Sequence, residues 1–305
     1  MTDSTKGILA ALMAYTIWGL GPVFWKAIAH VPPLEVLSHR TFWSLVLFGC
    51  YLMWQGRLGE LFEALRPGRH LVTIILAAAA VSINWFLYIY AVQIDRVVEA
   101  SMGYYIMPLV IVGLGYFVLN ERLSRLQWAA IGLAVAAVLI LTIGLGVAPW
   151  ISLALAFSFA GYGLIKKRLD LGPVLSVTAE VAIIAPIGLV WLVGVHFAGW
   201  QDITARAGGF FGTSIYDSVM LVLSAGFTAV PLILFAYASR RVAFSTVGIL
   251  QYINPSLQFL CAVLLFGETL TGYHLIAFAL IWTGLAFYSF GAYRRADALR
   301  KATIS

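Results

Sequence analysis

Four ionisable side chains stand inside long apolar stretches of this 305-residue chain: His39 and Arg40 in one, Glu99 near the start of another, and Glu180 in a third. Holding such a group in a bilayer costs about 2.5 to 3.5 kcal/mol on insertion scales, so each needs a partner or a task. A guanidinium is a planar fork of donors that fits a carboxylate, which makes Arg40 a candidate anchor for an acidic solute. His39, Glu99 or Glu180 could take up a proton if movement of that solute is coupled to protons. Plainer roles compete with these. Arg40 and Glu180 could be held by backbone carbonyls or neighbouring helices, and Glu99 could be an N-terminal acid favoured by its helix dipole. Lys26 lies near enough to the end of its stretch to snorkel to the surface.

Amides and aromatic rings form the second set. Tyr15 and Trp18 are three residues apart and share a helical face, as do Asn84, Trp85 and Tyr88 broadly; another stretch offers Ser101, Tyr104 and Tyr105, and a later one Gln251, Tyr252 and Asn254. An amide cannot face lipid cheaply, so it meets a neighbouring helix or a wet cavity. Aromatic faces with a few amides suit an amphipathic solute of amino-acid size, although helix packing would use the same rings. Together with His39, Arg40 and Glu99 these residues are the candidate substrate-binding set. Pro108 and Pro255 each remove a backbone hydrogen bond and free a carbonyl, giving kinks that shape a cavity, hinge it, or are simply static. The pairs Gly19 and Gly21, Gly113 and Gly115, and Gly161 and Gly163 point to close helix approach.

Catalytic or metal chemistry has little to stand on. There is no HExxH, GxSxG or P-loop, and the five histidines, His30, His39, His70, His196 and His274, are scattered, so no cofactor or metal is expected and ATP is excluded as a direct energy source. Gly19-Leu20-Gly21-Pro22 precedes no strand and is no nucleotide loop. A channel would more naturally repeat a polar ring, and none is visible.

The elements that must position these residues follow from composition. The chain is 62% apolar and 10% charged, against about 25% charged in soluble domains, so it cannot cover a water-facing surface. Ten apolar runs approach the roughly 20 residues needed to cross a bilayer: 7–28, 33–54, 71–92, 97–119, 126–145, 149–166, 173–196, 217–238, 244–266 and 272–292. The first is longer than a signal-peptide core and reads as a retained helix. Fifteen of the nineteen Lys and Arg fall in segments on one side, against Arg96 and Arg206 on the other, which puts both termini in the cytoplasm. These cations form no continuous basic face, so nucleic acid is not expected; the partners are a lipid bilayer and a small molecule. Cys50 and Cys261 lie in apolar runs and are uninformative.

The chain also repeats. Shifted by 147 positions, Tyr105-Ile106-Met107-Pro108 meets Tyr252-Ile253-Asn254-Pro255, Tyr90-Ala91 meets Tyr237-Ala238, and Glu121 meets Glu268; a shift of 142 aligns Ala14, Gly19 and Gly21 with Ala156, Gly161 and Gly163. The difference implies an insertion in the 197–216 loop. Residues 1–145 and 149–292 are then two five-span repeats, with a cytoplasmic tail at 293–305. An odd span number makes the second copy inverted, the arrangement of secondary transporters with a site between the halves. Glu121 and Glu268, in short loops, are expected to cap the helix that follows each.

Ala14 to Pro22, Ser38-His39-Arg40, Asn84-Trp85, Glu99 to Ile106, Ala156 to Gly163 and Gln251 to Ile253 resemble the RarD branch of the EamA transporters, in the drug/metabolite transporter superfamily. The resemblance spans nearly the whole chain except the 198–216 loop and the tail. It implies an all-α membrane protein of ten helices around a central cavity, lying in a bacterial-type inner membrane. It further implies export of small metabolites, amino acids foremost, since the family includes aromatic amino-acid exporters. Export of drugs or other metabolites is the alternative.

Overall fold

The computed structural model describes residues 3–119, 123–166, 169–239, 241 and 250–304. Glu121, Arg122, Lys167, Arg168, Arg240 and positions 244–249 of the expected ninth span lie outside them. The helices are α1 (Asp3–Gly19), α2 (Gly21–Ala27), α3 (Pro33–Trp54), α4 (Leu58–Ala64), α5 (Arg69–Gln93), α6 (Val97–Leu119) and α7 (Arg125–Leu145) in the first half. The second half holds α8 (Trp150–Lys166), α9 (Pro173–Ala198), α10 (Ile215–Leu223), α11 (Gly226–Ser239), α12 (Ile253–Leu260), a π-helical turn at Cys261–Leu265, and α13 (Gly272–Ile304). Among the described residues there is no strand, only isolated bridges near 201–214.

Among the described residues seven stretches are long and apolar enough to cross a membrane: Thr5–Ala27, His70–Gln93, Val97–Val118, Arg125–Leu145, Pro173–Ala198, Ile215–Phe235 and Gly272–Gly291. The helix α3 is as long, but Glu35, His39 and Arg40 make its first half polar. Trp150–Lys166 and Ile253–Leu265 are apolar and shorter.

Local chemistry sets the helix ends. Pro33 and Pro173 open α3 and α9, where a missing N–H costs nothing. Ser124 and Gln127 form a reciprocal capping box on α7, which stops at Gly146 with φ 69°, a left-handed position suited to glycine. No such residue precedes α6. Its first N–H groups are capped from the other half of the chain, where the Glu268 carboxylate accepts from Val97 N at 2.7 Å and Val98 N at 2.8 Å. This corrects the expectation that Glu268 caps its own following helix, α13, whose start is instead served by Thr271 and His274. Burial pushes the Glu268 carboxyl up, against the pull of the two N–H donors.

The helices pair mostly across the halves. The main contacts are α3 with α9, α7 with α13, α6 with α8, α1 with α11, α5 with α8, α1 with α12, and α6 with α12. Glycine permits the closest approaches: a Cβ on Gly103 would lie 2.7 Å from the Ser152 carbonyl oxygen, and one on Gly19 2.7 Å from Leu257 Cβ. Gly113, Gly161 and Gly163, expected to do the same, have nothing within 4 Å of that position.

Prolines contribute as well. Pro108 lies inside the continuous α6, whereas Pro255 sits in the first turn of α12, where the Gln251 carbonyl it would otherwise engage accepts from Asn254 N at 3.2 Å. Two further interior prolines, Pro186 in α9 and Pro231 in α11, lie outside the aligned repeat motif. Pro231 cannot bond to the carbonyl four residues back, that of Phe227, and the Trp18 indole N–H donates to that oxygen at 3.0 Å. The freed carbonyl thus becomes a staple between α1 and α11. Trp18→Phe keeps most of the ring but strands the oxygen. It is expected to lower stability by about 1 to 3 kcal/mol, visible as an earlier thermal unfolding midpoint in detergent; an unchanged midpoint would mean that the staple contributes nothing.

Candidate functional site

Arg40 is 5% exposed and faces the middle of the helix assembly. Its Nε donates to Thr228 Oγ1 of α11 at 2.8 Å, and its guanidinium carbon lies 4.3 Å from the Trp85 ring centroid and 5.1 Å from that of Trp25. Two indoles therefore wall the plane while Thr228 holds one edge. Among the described residues no carboxylate comes within ion-pair distance, and the Thr228 bond is the one hydrogen bond the guanidinium makes. A cation desolvated this far and left without a counter-charge is costly, so its terminal N–H groups are poised for an anion.

Around it stand Tyr88 and Tyr104, edge-to-face with centroids 5.7 Å apart. The Tyr88 hydroxyl is buried and makes no hydrogen bond among the described residues. Gly21 keeps this corner open, since a Cβ there would lie 3.3 Å from Trp25 Nε1 and 3.6 Å from the Tyr88 oxygen. The helix break at Leu20, between α1 and α2, sets Trp25 at this depth. Trp25 also packs on Phe227 at 5.6 Å. Neither Trp25 nor Thr228 is among the residues expected from sequence; both lie on apolar faces with nothing in their spacing to separate them from packing residues.

Asn84 is fully buried beside this group with both ends of its amide engaged: its nitrogen donates to Leu155 O at 3.1 Å and Ser158 Oγ at 3.0 Å, and its oxygen accepts from Tyr104 at 3.3 Å. It ties α5 to α8 and sets the Tyr104 ring. Ser101 is buried, with its hydroxyl on the Val98 carbonyl.

The other candidates lie elsewhere. Tyr15 and Trp18 pack with Phe235 between α1 and α11. Tyr105 and Tyr252 stack at 6.5 Å, the Tyr105 hydroxyl 2.6 Å from Ser256 Oγ, at a separate pocket of about 300 Å³ against Trp282 of α13. Asn254 Oδ1 accepts from Gln258 Nε2 at 2.8 Å. Gln251 is half-buried just before α12. Glu99 pairs with Arg96 at one end of the molecule and lines a cavity of about 590 Å³ with Asp95, Glu268 and His274. Lys26, expected merely to snorkel, pairs with Asp95 there.

His39 follows a different course from its neighbour. It is 4% exposed, and its ring stacks on Phe211 at 4.8 Å with an interplanar angle of 27°, outside the Arg40 group. Glu180 is committed too: its carboxylate accepts from Lys166 Nζ at 2.9 Å, Tyr162 Oη at 3.0 Å and Ser176 Oγ at 3.0 Å. Glu35, placed too near the start of its apolar run to stand out in sequence, is fully buried in the first turn of α3 and accepts from Gly209 N and Phe210 N, each at 2.8 Å. Among the described residues no His, Cys, Asp and Glu cluster could hold a metal ion.

Residues 5–143 match the model of the EamA-like transporter family. Among curated relatives, Protein RarD of Streptomyces exfoliatus is 42% identical over 98% of this chain and 92% of its own. The uncharacterized transporter YojE of Bacillus subtilis (strain 168) is 38% identical, over 94% and 95%. Protein RarD of Escherichia coli (strain K12) is 35% identical, over 94% of each. A protein of known crystal structure, 19% identical, superposes with a TM-score of 0.59 over 95% of this chain and 98% of its own, a likeness of fold.

Proposed function

The chain belongs to the RarD branch of the EamA-like transporter family, and from that premise we propose that it exports small carboxylate-bearing metabolites, amino acids foremost, by alternating access across a bacterial inner membrane. The observation that carries the substrate class is Arg40: a buried guanidinium walled by Trp25 and Trp85, steadied by Thr228 and without a protein counter-charge among the described residues. A carboxylate meeting the free edge of the fork gains paired charge-assisted hydrogen bonds, and the Tyr88 hydroxyl is a further donor nearby. The indole and phenol rings are suited to an apolar or aromatic side chain.

Ten spans in two inverted halves support the transport cycle. The pairings exchange when the halves are swapped: α1 with α11 answers α8 with α5, α1 with α12 answers α8 with α6, and α3, α6 and α7 each meet their own counterparts α9, α12 and α13. Such symmetry lets one packing interconvert with its mirror across the membrane. The distribution of Lys and Arg favours cytoplasmic termini, which turns the end bearing residues 199–214 outwards.

Purified protein in liposomes should exchange radiolabelled phenylalanine and other amino acids, with saturation, and an unlabelled carboxylate-free amine analogue should not compete. Flux that never saturates would favour a pore. Saturable flux in which the amine competes as well as the acid would remove the carboxylate from the reading.

A further inference from the structure

The segment 199–214, which interrupts the repeat, folds back over the end of the molecule between α9 and α10. Arg206 donates to Ala29 O at 2.9 Å, Val31 O at 3.0 Å and Gln93 Oε1 at 2.6 Å, and Asp202 accepts from Leu34 N at 3.2 Å. The tip is gripped from two sides. Glu35 takes the N–H groups of Gly209 and Phe210. Opposite, His196 in the last turn of α9 places Nδ1 3.0 Å from Leu192 O and Nε2 3.0 Å from Phe211 O. Held there, the Phe211 ring covers His39 and lies 6.2 Å from Trp43.

Both oxygens facing His196 are carbonyls, which only accept. A neutral imidazole has one N–H, so it can serve one of them and must turn a lone pair towards the other; the imidazolium donates to both. The remaining charged or titratable groups on the surrounding elements are accounted for. On α3 they are Arg40, Glu35 and His39, of which Glu35 and His39 are both within electrostatic reach of His196, the carboxylate opposite to an imidazolium in sign and His39, if protonated, like it. On the segment itself Asp202 is held by Leu34 N and Thr204 N, and Arg206 by its carbonyls. His30, before α3, pairs with Asp217 of α10 at 2.7 Å.

We propose that His196 is a proton-operated latch on this lid: as the imidazolium it clamps the Phe211 backbone against α9 and keeps the ring over His39, and loss of its proton leaves one N–H for two carbonyl oxygens and loosens the tip. The sign follows from the donors. The clamp has both donors while the imidazole is protonated and loses one charge-assisted hydrogen bond when that proton leaves. In the transport reading above, on which this consequence rests, an acidic exterior keeps the lid shut and an alkaline one loosens it. The clamp itself stands on the hydrogen-bond geometry alone.

Amide hydrogen exchange separates the two. Peptides covering 205–214 of the detergent-solubilised full chain are followed by mass spectrometry at about pH 5.5 and about pH 8, either side of the imidazole range, and corrected for intrinsic chemical exchange. In the wild type the Gly209 and Phe210 amides should exchange about tenfold faster at the higher pH, the scale of one charge-assisted hydrogen bond. His196→Gln, with a single donor group and no titration, should exchange fast at both, while His30→Gln should keep the wild-type difference. Equal protection of the wild type at the two pH values overturns the latch. So does a pH difference that survives in His196→Gln or disappears in His30→Gln. None of these readouts depends on transport, so a failed transport assay leaves the latch test intact.

Discussion

Arg40→Met is expected to weaken solute binding roughly thirtyfold or more while raising thermal stability. The two changes have one cause. A guanidinium 5% exposed, with one hydrogen bond and no carboxylate in reach among the described residues, is a desolvation cost carried by the empty protein. Replacing a buried, unpaired charge by an apolar side chain of similar length relieves that cost; even buried ion pairs, whose charges compensate each other, often give a gain of about 1 to 4 kcal/mol when replaced by apolar residues. The same replacement removes the donors a carboxylate would meet, a loss of about 2 to 5 kcal/mol that corresponds to roughly thirtyfold or more in affinity. Arg40→Lys keeps the charge but loses the stacking on Trp25 and Trp85 and the Nε contact to Thr228, so binding should weaken by at least about tenfold. Thr228→Val, which frees the guanidinium to swing, should fall between lysine and wild type. Equilibrium binding of a radiolabelled amino acid and the unfolding midpoint are measured on each variant. If Arg40→Met instead unfolds early, the residue serves the fold, and the substrate reading loses its main support.

The pattern of apolar runs marks where most of the described helices lie, because hydrocarbon solvent leaves helices as the simplest way to satisfy a backbone; the short α4, between the second and third runs, and the breaks that part α1 from α2 and α10 from α11 are not in it. The site is legible only in part. Arg40, Trp85, Tyr88, Tyr104 and Asn84 stand out as polar or aromatic residues in apolar stretches and do converge. Trp25 and Thr228, which shape the guanidinium's surroundings, are ordinary residues whose role depends on which faces meet. His39 and Arg40 show how adjacency misleads: successive helical residues point about 100° apart, so one stacks under Phe211 while the other enters the aromatic group. Tyr105 and Tyr252 align in the repeat and meet each other, yet at a different pocket from Arg40. Some of the rest follows from local rules. Pro231 frees a carbonyl four residues back, so a donor has to be supplied from elsewhere, and Trp18 supplies it. Glu268, conspicuous for its repeat position, follows no local rule, since the N-terminus it caps is 170 residues away.

Lys166→Met is expected to be the most damaging single substitution among the polar contacts, and Glu180→Gln should largely repair it. Glu180 is 1% exposed and takes three donors, of which only Lys166 carries a compensating charge. Taking that charge away leaves a carboxylate stranded in the bundle, a loss of about 3 to 5 kcal/mol when one partner of a buried pair is deleted. The reverse deletion should cost less. The Lys166 side chain is 23% exposed at the end of α8, so with Glu180→Gln it can turn its ammonium to water while the substituted amide keeps an oxygen for Tyr162 and Ser176. With both substitutions no charge is buried, and the double variant should unfold closer to wild type than Lys166→Met does. Ranking the midpoints at a fixed scan rate in one detergent avoids any need for reversibility. The same variants bear on coupling. If Glu180 and Lys166 serve as a fixed strut, the double variant should exchange solute with the wild-type dependence on pH. If that dependence flattens while the protein stays folded, Glu180 is a proton carrier after all, and the neutralising contact with Lys166 must open during the cycle.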